Sequence, residues 1–275
     1  MAAAPYVLII GAVDGELSGL RRRMNAWATE EIGRRPIQRG RLCGVPVRLM
    51  VTGPGSANTV QALTAVLEQA PPRLILQTGC AGAFRESGLS VGDVGVASEE
   101  IDAHLGIEPQ APEDPPTALP FPVMTALGAA VTGRYPLSRR WSEAAVDALS
   151  RDPARRGAGG AWEDADSTAG LPPGTTGVRV VCGPFLTVST ITATDLGAER
   201  RYRQFRACME AMEGAGAAHV ACHYDVPLLE VRAASNLVGR RDRGAWDLDL
   251  AFRRATWAVL AILDHCRELF QESLQ

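Results

Sequence analysis

The sequence contains no lysine; all 28 basic side chains are arginine. That absence removes Schiff-base chemistry, a pyridoxal-phosphate lysine and the lysine-bearing phosphate loop. It also reflects genome composition, since Ala, Gly, Arg and Pro are all abundant. No pair among the six cysteines (Cys43, Cys80, Cys182, Cys208, Cys222, Cys266) has CxxC spacing. They read as reduced thiols of a cytoplasmic protein. His219, Cys222 and His223 lie close together, but no second ligand pair completes a metal site, so they read as structural helix residues. No apolar run reaches the roughly 18–20 residues of a membrane span. The best, Tyr6–Val13 and Trp257–Leu263, have strand or core-helix length. No basic segment precedes the first apolar run, which argues against a signal peptide. With 28 basic against 31 acidic side chains the net charge is −3, so the chain lacks a basic footprint for nucleic acid.

What is present is an ordinary globular balance: 275 residues, 46% hydrophobic, 21% charged. We expect one domain over residues 1–275. Tyr6–Ile10, Val45–Val51, Arg73–Gln77, Val91–Ala97, Val178–Val181, Leu186–Thr190 and Pro227–Ala233 read as strands. Glu16–Trp27, Thr59–Gln69, Glu199–Ala221 and Ala251–Gln271 read as helices, with Ser56 or Asn58 capping the second. Most strands are apolar throughout and alternate with helices. That is the pattern of a mostly parallel sheet covered on both faces, with ligands at the carboxyl ends of its strands. Polar clusters fall there: Thr52–Asn58, Gly79–Gly82, Ser98–Glu100, Thr187–Asp195 and Ser235–Asn236. A Pro/Gly-rich stretch at about 126–177 breaks the pattern and reads as an insertion. It contains a helical island near Trp141–Ser150, and its segments 155–160 and 164–174 read as flexible loop.

Gly11-Ala-Val-Asp-Gly-Glu16 follows a strand and opens a helix, but it lacks GxGxxG spacing. Thr52-Gly-Pro-Gly-Ser56 has the look of a phosphate cradle without its lysine. Either serves equally as a tight strand–helix turn. Glu213 falls within a run of small residues, Ala211–Ala221, where close packing demands a partner for the carboxylate. Arg232 falls in the apolar run Leu228–Ala233, where an arginine neutralises a buried carboxylate or binds a ligand.

Five motifs in order carry a family resemblance: Gly11–Glu16, Thr52-Gly-Pro-Gly55, Gly79-Cys-Ala-Gly82, Met212-Glu-Gly214 and Val231-Arg-Ala-Ala-Ser-Asn236. Together they resemble the nucleoside phosphorylase / methylthioadenosine–adenosylhomocysteine nucleosidase superfamily over residues 6–105 and 180–265. The resemblance implies an α/β, phosphorylase-like three-layer fold with a mostly parallel, mixed central sheet flanked by helices. Within the superfamily, Ala97-Ser-Glu-Glu-Ile101 with Leu105-Gly106, Gly183–Ser189, Ala234–Val238 and Arg241–Trp246 resemble the futalosine hydrolases. That family belongs to menaquinone biosynthesis through futalosine and releases hypoxanthine from it.

By resemblance, Glu16 positions and deprotonates a water, with Arg232 and Cys80, Ala81 and Gly82 lining the pocket. Glu213 binds the ribose hydroxyls with Met212 packed on the sugar, and Asn236, beside Ser235, meets the purine at N7. Where adenine-cleaving relatives carry Asp, Asn236 offers an amide donor, which suits a 6-oxopurine. The phosphate-binding arginine of the phosphorylases falls here at Gln77 or Thr78, neither cationic, which favours water as nucleophile. Cys80 stands where nucleosidases carry Ser. Glu210, one helical turn before Glu213, competes for its role but is not followed by Gly. Arg240, Arg241, Arg243 and Trp246 offer charge and an aromatic surface to the tail of the substrate, or form an exposed basic loop. The resemblance implies no organic cofactor, no metal and a homo-oligomer. An adenine-type nucleosidase, a purine nucleoside phosphorylase and a binding module without chemistry are the rival readings.

Overall fold

The unbroken apolar run Val7–Ile10 is explained by a strand covered on both faces. In the computed structural model, which describes residues 5–109, 116–126, 129–152 and 177–267, β1 (Val7–Gly11) sends Val7 and Ile9 into one core and Leu8 and Ile10 into another. Then follow α1 (Asp14–Arg23), β2 (Asn25–Ile32), β3 (Arg35–Leu42), β4 (Val45–Val51), α2 (Ser56–Gln69), β5 (Leu74–Ala83) and β6 (Val94–Asp102). The chain continues through β7 (Met124–Ala126), β8 (Ala129–Val131), β9 (Arg134–Pro136) and α3 (Arg139–Arg151). It ends with β10 (Val180–Thr187), α4 (Asp195–Phe205), β11 (Met209–Ala211), α5 (Gly214–His223), β12 (Leu228–Leu237) and α6 (Leu248–His265).

The main sheet runs β11-β10-β6-β12-β5-β1-β4-β3-β2. Its middle, β4-β1-β5-β12, is parallel; β2–β3–β4 is an antiparallel meander and β6 runs antiparallel to β12. β11 also pairs with β5, which curls that end of the sheet closed. Helices α1, α3 and α6 cover one face, α2 and α5 the other. The fold is the mixed α/β sheet between helices that the motifs imply.

Local expectations fail where tertiary pairing overrides propensity. Trp27 does not continue α1: the chain leaves that helix at Met24 and enters β2. Two tight turns then direct the meander, Gly33-Arg34 and Cys43-Gly44, with positive φ at all four residues (60°, 62°, 48° and 78°). Such turns match the twist of paired strands. Glu199–Ala221 is two helices, not one. Arg206 ends α4 in the left-handed conformation (φ 52°), and β11 is recruited by β10 and β5 before α5 begins. Neither Ser56 nor Asn58 caps α2; Gly55 takes that place, while Ser56 Oγ donates to the Met212 carbonyl and Asn58 Nδ2 to that of Pro54. The two strands read at 178–190 are one, β10, with a register shift between Gly183 and Phe185. α6 starts at Leu248 and is followed to His265; residues 268–271 of the expected helix lie outside the described residues. Within the 126–177 stretch, β9 pairs with β6 and α3 packs against α6 through Ala145, Ala148 and Leu149. The segments 155–160 and 164–174 lie outside the described residues.

α1 and α6 approach through a glycine. A Cβ on Gly19 falls 2.4 Å from Thr256 Oγ1 and 3.1 Å from Thr256 Cβ. Helix propensity favours alanine there by about 1 kcal/mol, but overpacking costs about 1–3 kcal/mol. Gly19→Ala is therefore expected to lower the urea midpoint, and Thr256→Ala added to it to recover part of the loss. A Gly19→Ala protein more stable than the parent contradicts this packing.

Candidate active site

The side chains converge where β1, β4, β5 and β12 end. Glu16 lies in the first turn of α1 and is 2% exposed. Its Oε2 accepts from the Ala12 N–H (2.6 Å) and the Val13 N–H (3.2 Å), and its Oε1 from the Cys80 N–H (2.9 Å). Three backbone donors thus hold one carboxylate between β1 and β5. The approach requires Gly79, whose φ is +146° and where a Cβ would stand 2.1 Å from Glu16 Oε1.

Glu213 is the residue that precedes α5, not a position inside a helix. Its Oε1 accepts from the Gly55 N–H (2.9 Å), its Oε2 from Arg232 Nη2 (3.0 Å) and the Met212 N–H (3.3 Å). The Thr52–Ser56 turn therefore gives a backbone donor to a carboxylate of its own chain. Close packing of the small residues of α5 is realised at Gly216, where a Cβ would lie 2.9 Å from Ser56 Cβ.

Arg232 is 2% exposed and ties the floor together. Nε donates to Glu230 Oε1 (2.6 Å), Nη1 to the Cys80 carbonyl (3.0 Å) and Nη2 to Glu213. Burial works against its charge, but the carboxylates of Glu230, Glu213 and Glu16 outweigh that and raise its pKa above the ordinary arginine value. Burial, and then the Glu16 carboxylate, push the Cys80 thiol up to about 12. It stays protonated at neutral pH and is no thiolate nucleophile.

Asn236 is aimed by an irregularity. β12 shifts register against β5 between Ala234 and Asn236, and such a bulge redirects the next side chain. The Ser235 hydroxyl donates to Asn236 Oδ1 (2.8 Å), and Asn236 Nδ2 donates to the Leu237 carbonyl (3.0 Å).

One cavity of about 220 Å³ is lined by Glu16, Cys80, Ala81, Gly82, Met212, Glu213, Arg232, Ser235 and Asn236 together. Each residue to which the resemblance gives a part at the water, the sugar or the base meets there. Glu210 also borders it, but its carboxylate is occupied by the Thr192 N–H (3.0 Å), the Thr192 hydroxyl and Arg201 (3.2 Å). Arg240, Arg241 and Trp246 reach the mouth, with Arg241 stacked over the Trp246 ring at 4.9 Å. Arg243 lines a neighbouring depression instead. Sequence reasoning missed Glu230, 0% exposed, and did not single out Glu100, 1% exposed. The available signal was a carboxylate two residues before Arg232 in an apolar strand, hence on the same face. Among the described residues there is no helix long and apolar enough to cross a membrane and no cluster of metal-ligating side chains.

The profile of the phosphorylase superfamily matches residues 6–268, and the chain belongs to that superfamily. Within it, the chain is similar to a futalosine hydrolase from Streptomyces coelicolor: 34% identical over 259 residues, 92% of this chain and 93% of that protein. It is 28% identical over 261 residues to a 5′-methylthioadenosine/S-adenosylhomocysteine nucleosidase from Geobacillus kaustophilus, covering 93% and 95% of the two chains. The structure of another such nucleosidase, from Colwellia psychrerythraea in complex with adenine, shares the fold with a TM-score of 0.75 at 19% identity, over 96% of each chain.

Removing Arg232 leaves buried carboxylates without their cation. Arg232→Met is expected to cost about 3–5 kcal/mol in urea unfolding. Arg232→Lys loses the fork that serves three acceptors and falls between the two. A Met variant as stable as the parent contradicts the assigned network.

Proposed function

We propose that this protein is an N-ribosyl hydrolase that releases hypoxanthine from futalosine, giving dehypoxanthine futalosine for menaquinone biosynthesis. The observation that carries the reading is the convergence of two anchored carboxylates, Glu16 and Glu213, with the Asn236 amide on one cavity.

Hydrolysis of a purine N-glycosidic bond passes through an oxocarbenium-like ribosyl cation. It needs help to the leaving base, a hold on the sugar and an activated water. Glu16, fixed by three N–H groups, orients a water and takes its proton as the water oxygen bonds to the anomeric carbon. Glu213 accepts hydrogen bonds from the ribose hydroxyls, Met212 packs on the ring, and Arg232 sets the position of Glu213. The electrons of the breaking bond pass into the base, which leaves as an anion hydrogen-bonded at N7 by the Asn236 amide and takes a proton from solvent as neutral hypoxanthine, while Glu16 returns its own proton to solvent. Ser235 holds Oδ1, so the amide presents Nδ2; one hydrogen goes to Leu237 and the other is free for N7 and O6. A donor at that place suits a 6-oxopurine. Cys80, Ala81 and Gly82 form the wall. Arg240, Arg241 and Trp246 receive the carboxylate-bearing aryl tail at the mouth.

We read the protein as cytoplasmic and as a homo-oligomer. Val13, Ile191 and Leu248, each at least 40% exposed around the cavity, suit a mouth that a neighbouring subunit covers. No cofactor enters this chemistry.

The test is chromatography of base released from futalosine and aminodeoxyfutalosine, with and without phosphate. Hypoxanthine from futalosine without phosphate is the expected result. Adenine release overturns the base assignment, phosphate dependence the choice of nucleophile, and no release the activity itself. Glu16→Gln and Glu213→Gln are each expected to lower kcat by about 100-fold or more; full turnover in either removes its role. Asn236→Asp places an acceptor before O6 and is expected to shift selectivity from hypoxanthine towards adenine nucleosides. An unchanged ratio between the two substrates contradicts the part given to Asn236.

A further inference from the structure

Behind Arg232 the structure buries two carboxyl groups that the proposed reaction does not use. Glu100 comes from β6 and Glu230 from the neighbouring β12. The Thr187 hydroxyl accepts the Ala215 N–H (2.8 Å), so its hydrogen is given to Glu100 Oε2 (2.6 Å). Glu230 Oε1 is taken by Arg232 Nε. That leaves Glu100 Oε1 and Glu230 Oε2, both fully buried and without a donor among the described residues. They face the same point: a Cβ on Gly214 would stand 2.2 Å from the first and 2.5 Å from the second. Two bare carboxylate oxygens do not share a dry pocket unless a proton joins them.

We propose, resting on the hydrolase reading above, that Glu100 and Glu230 are positioning residues for Glu213. They hold one proton between Glu100 Oε1 and Glu230 Oε2, and this fixes how Arg232 divides its charge between Glu230 and Glu213. The place of the proton follows from the two oxygens already occupied by donors. With it the pair carries one negative charge, and Arg232 bridges two carboxylates. Without it a second buried charge draws the guanidinium away from Glu213 and the sugar. Burial, and then the Glu230 carboxylate, raise the pKa of Glu100 well above its usual range. The charged and titratable groups that face the pair are Arg232 from β12 and the Cys208 thiol just before β11, while Glu213 and Glu16 act on Arg232 from its far side. β10 contributes the neutral Thr187, and β9 contributes Tyr135, whose hydroxyl bonds to His219.

A group whose pKa is raised on folding contributes stability that is complete below the unfolded value and lost as pH rises through the folded one. Activity follows the same proton, so kcat declines on the alkaline side.

The test uses the full-length protein and three readouts. Infrared difference spectra at neutral pH are expected to show the carbonyl stretch of a protonated carboxylic acid that Glu100→Gln removes. Glu100→Gln donates to Glu230 through its amide at every pH, so its unfolding midpoint and its kcat are expected to lose the alkaline decline. Glu230→Gln turns Arg232 wholly towards Glu213 and is expected to lower kcat about tenfold, with KM changed less. Absence of the infrared band, or an alkaline decline in Glu100→Gln equal to that of the parent, overturns the shared proton. A parent protein that releases no base overturns the proposed function, and the infrared band then still decides whether the pair holds a proton.

Discussion

The guanidinium of Arg232 must answer carboxylates that arrive from separate elements, and the geometry of that task organises the site. Glu230 shares its strand, Glu213 comes from the start of α5, and the Cys80 carbonyl comes from β5. Burying an ion costs several kcal/mol that its partners must offset. The arrangement therefore holds only if every hydrogen-bonding end of the arginine is matched. A planar fork can do that; a lysine, which this chain lacks altogether, presents a point charge and cannot.

Around this cluster, absence of side chains is as structural as their presence. Gly79 admits the Glu16 carboxylate to the β5 backbone, and Gly214 leaves room for the Glu100 and Glu230 oxygens. Gly79 sits inside a strand, where a glycine weakens the local element. The cost is accepted because carboxylates occupy the space. Local rules are broken together at one place, the mark of a functional site rather than of random drift. The same logic covers β12, where one residue of register shift turns Asn236 towards the cavity.

Much of the architecture was legible because its signals were chemical. Apolar runs such as Val7–Ile10 announce strands covered on both faces, and the five motifs place every cavity-lining residue on which the proposed reaction depends. What was not legible shares one cause, competition between local propensity and distant pairing. The run from Glu199 to Ala221 contains good helix formers, yet β10 and β5 claim Met209–Ala211 as a strand. Trp27 continues a helical spacing, yet the meander claims it for β2. Its turns carry Arg34 and Cys43 where glycine or asparagine would have been a plainer sign. Glu230 was hidden differently. In an apolar strand its charge is conspicuous only once Arg232 is known to lie on the same face, and Glu100 joins it only in the folded chain, where both carboxyl groups meet beside Gly214.

The buried pair also explains why so costly a cluster persists. A cationic sugar is best stabilised by negative charge that does not reorganise as the cation forms. Glu213 alone, neutralised by its own arginine, would offer little of it. Glu230 takes part of the Arg232 charge, so under the proposed reaction Glu213 keeps some of its own for the ribose. Adding Glu100 as a second full charge would overshoot, since unbalanced buried carboxylates repel and destabilise the fold. A proton between them is the smallest correction available. It lets strands β6 and β12 bring two acids into contact and still leaves the site anionic at its sugar end. The cavity-facing carboxylates are then tuned from behind, by groups that never touch the substrate.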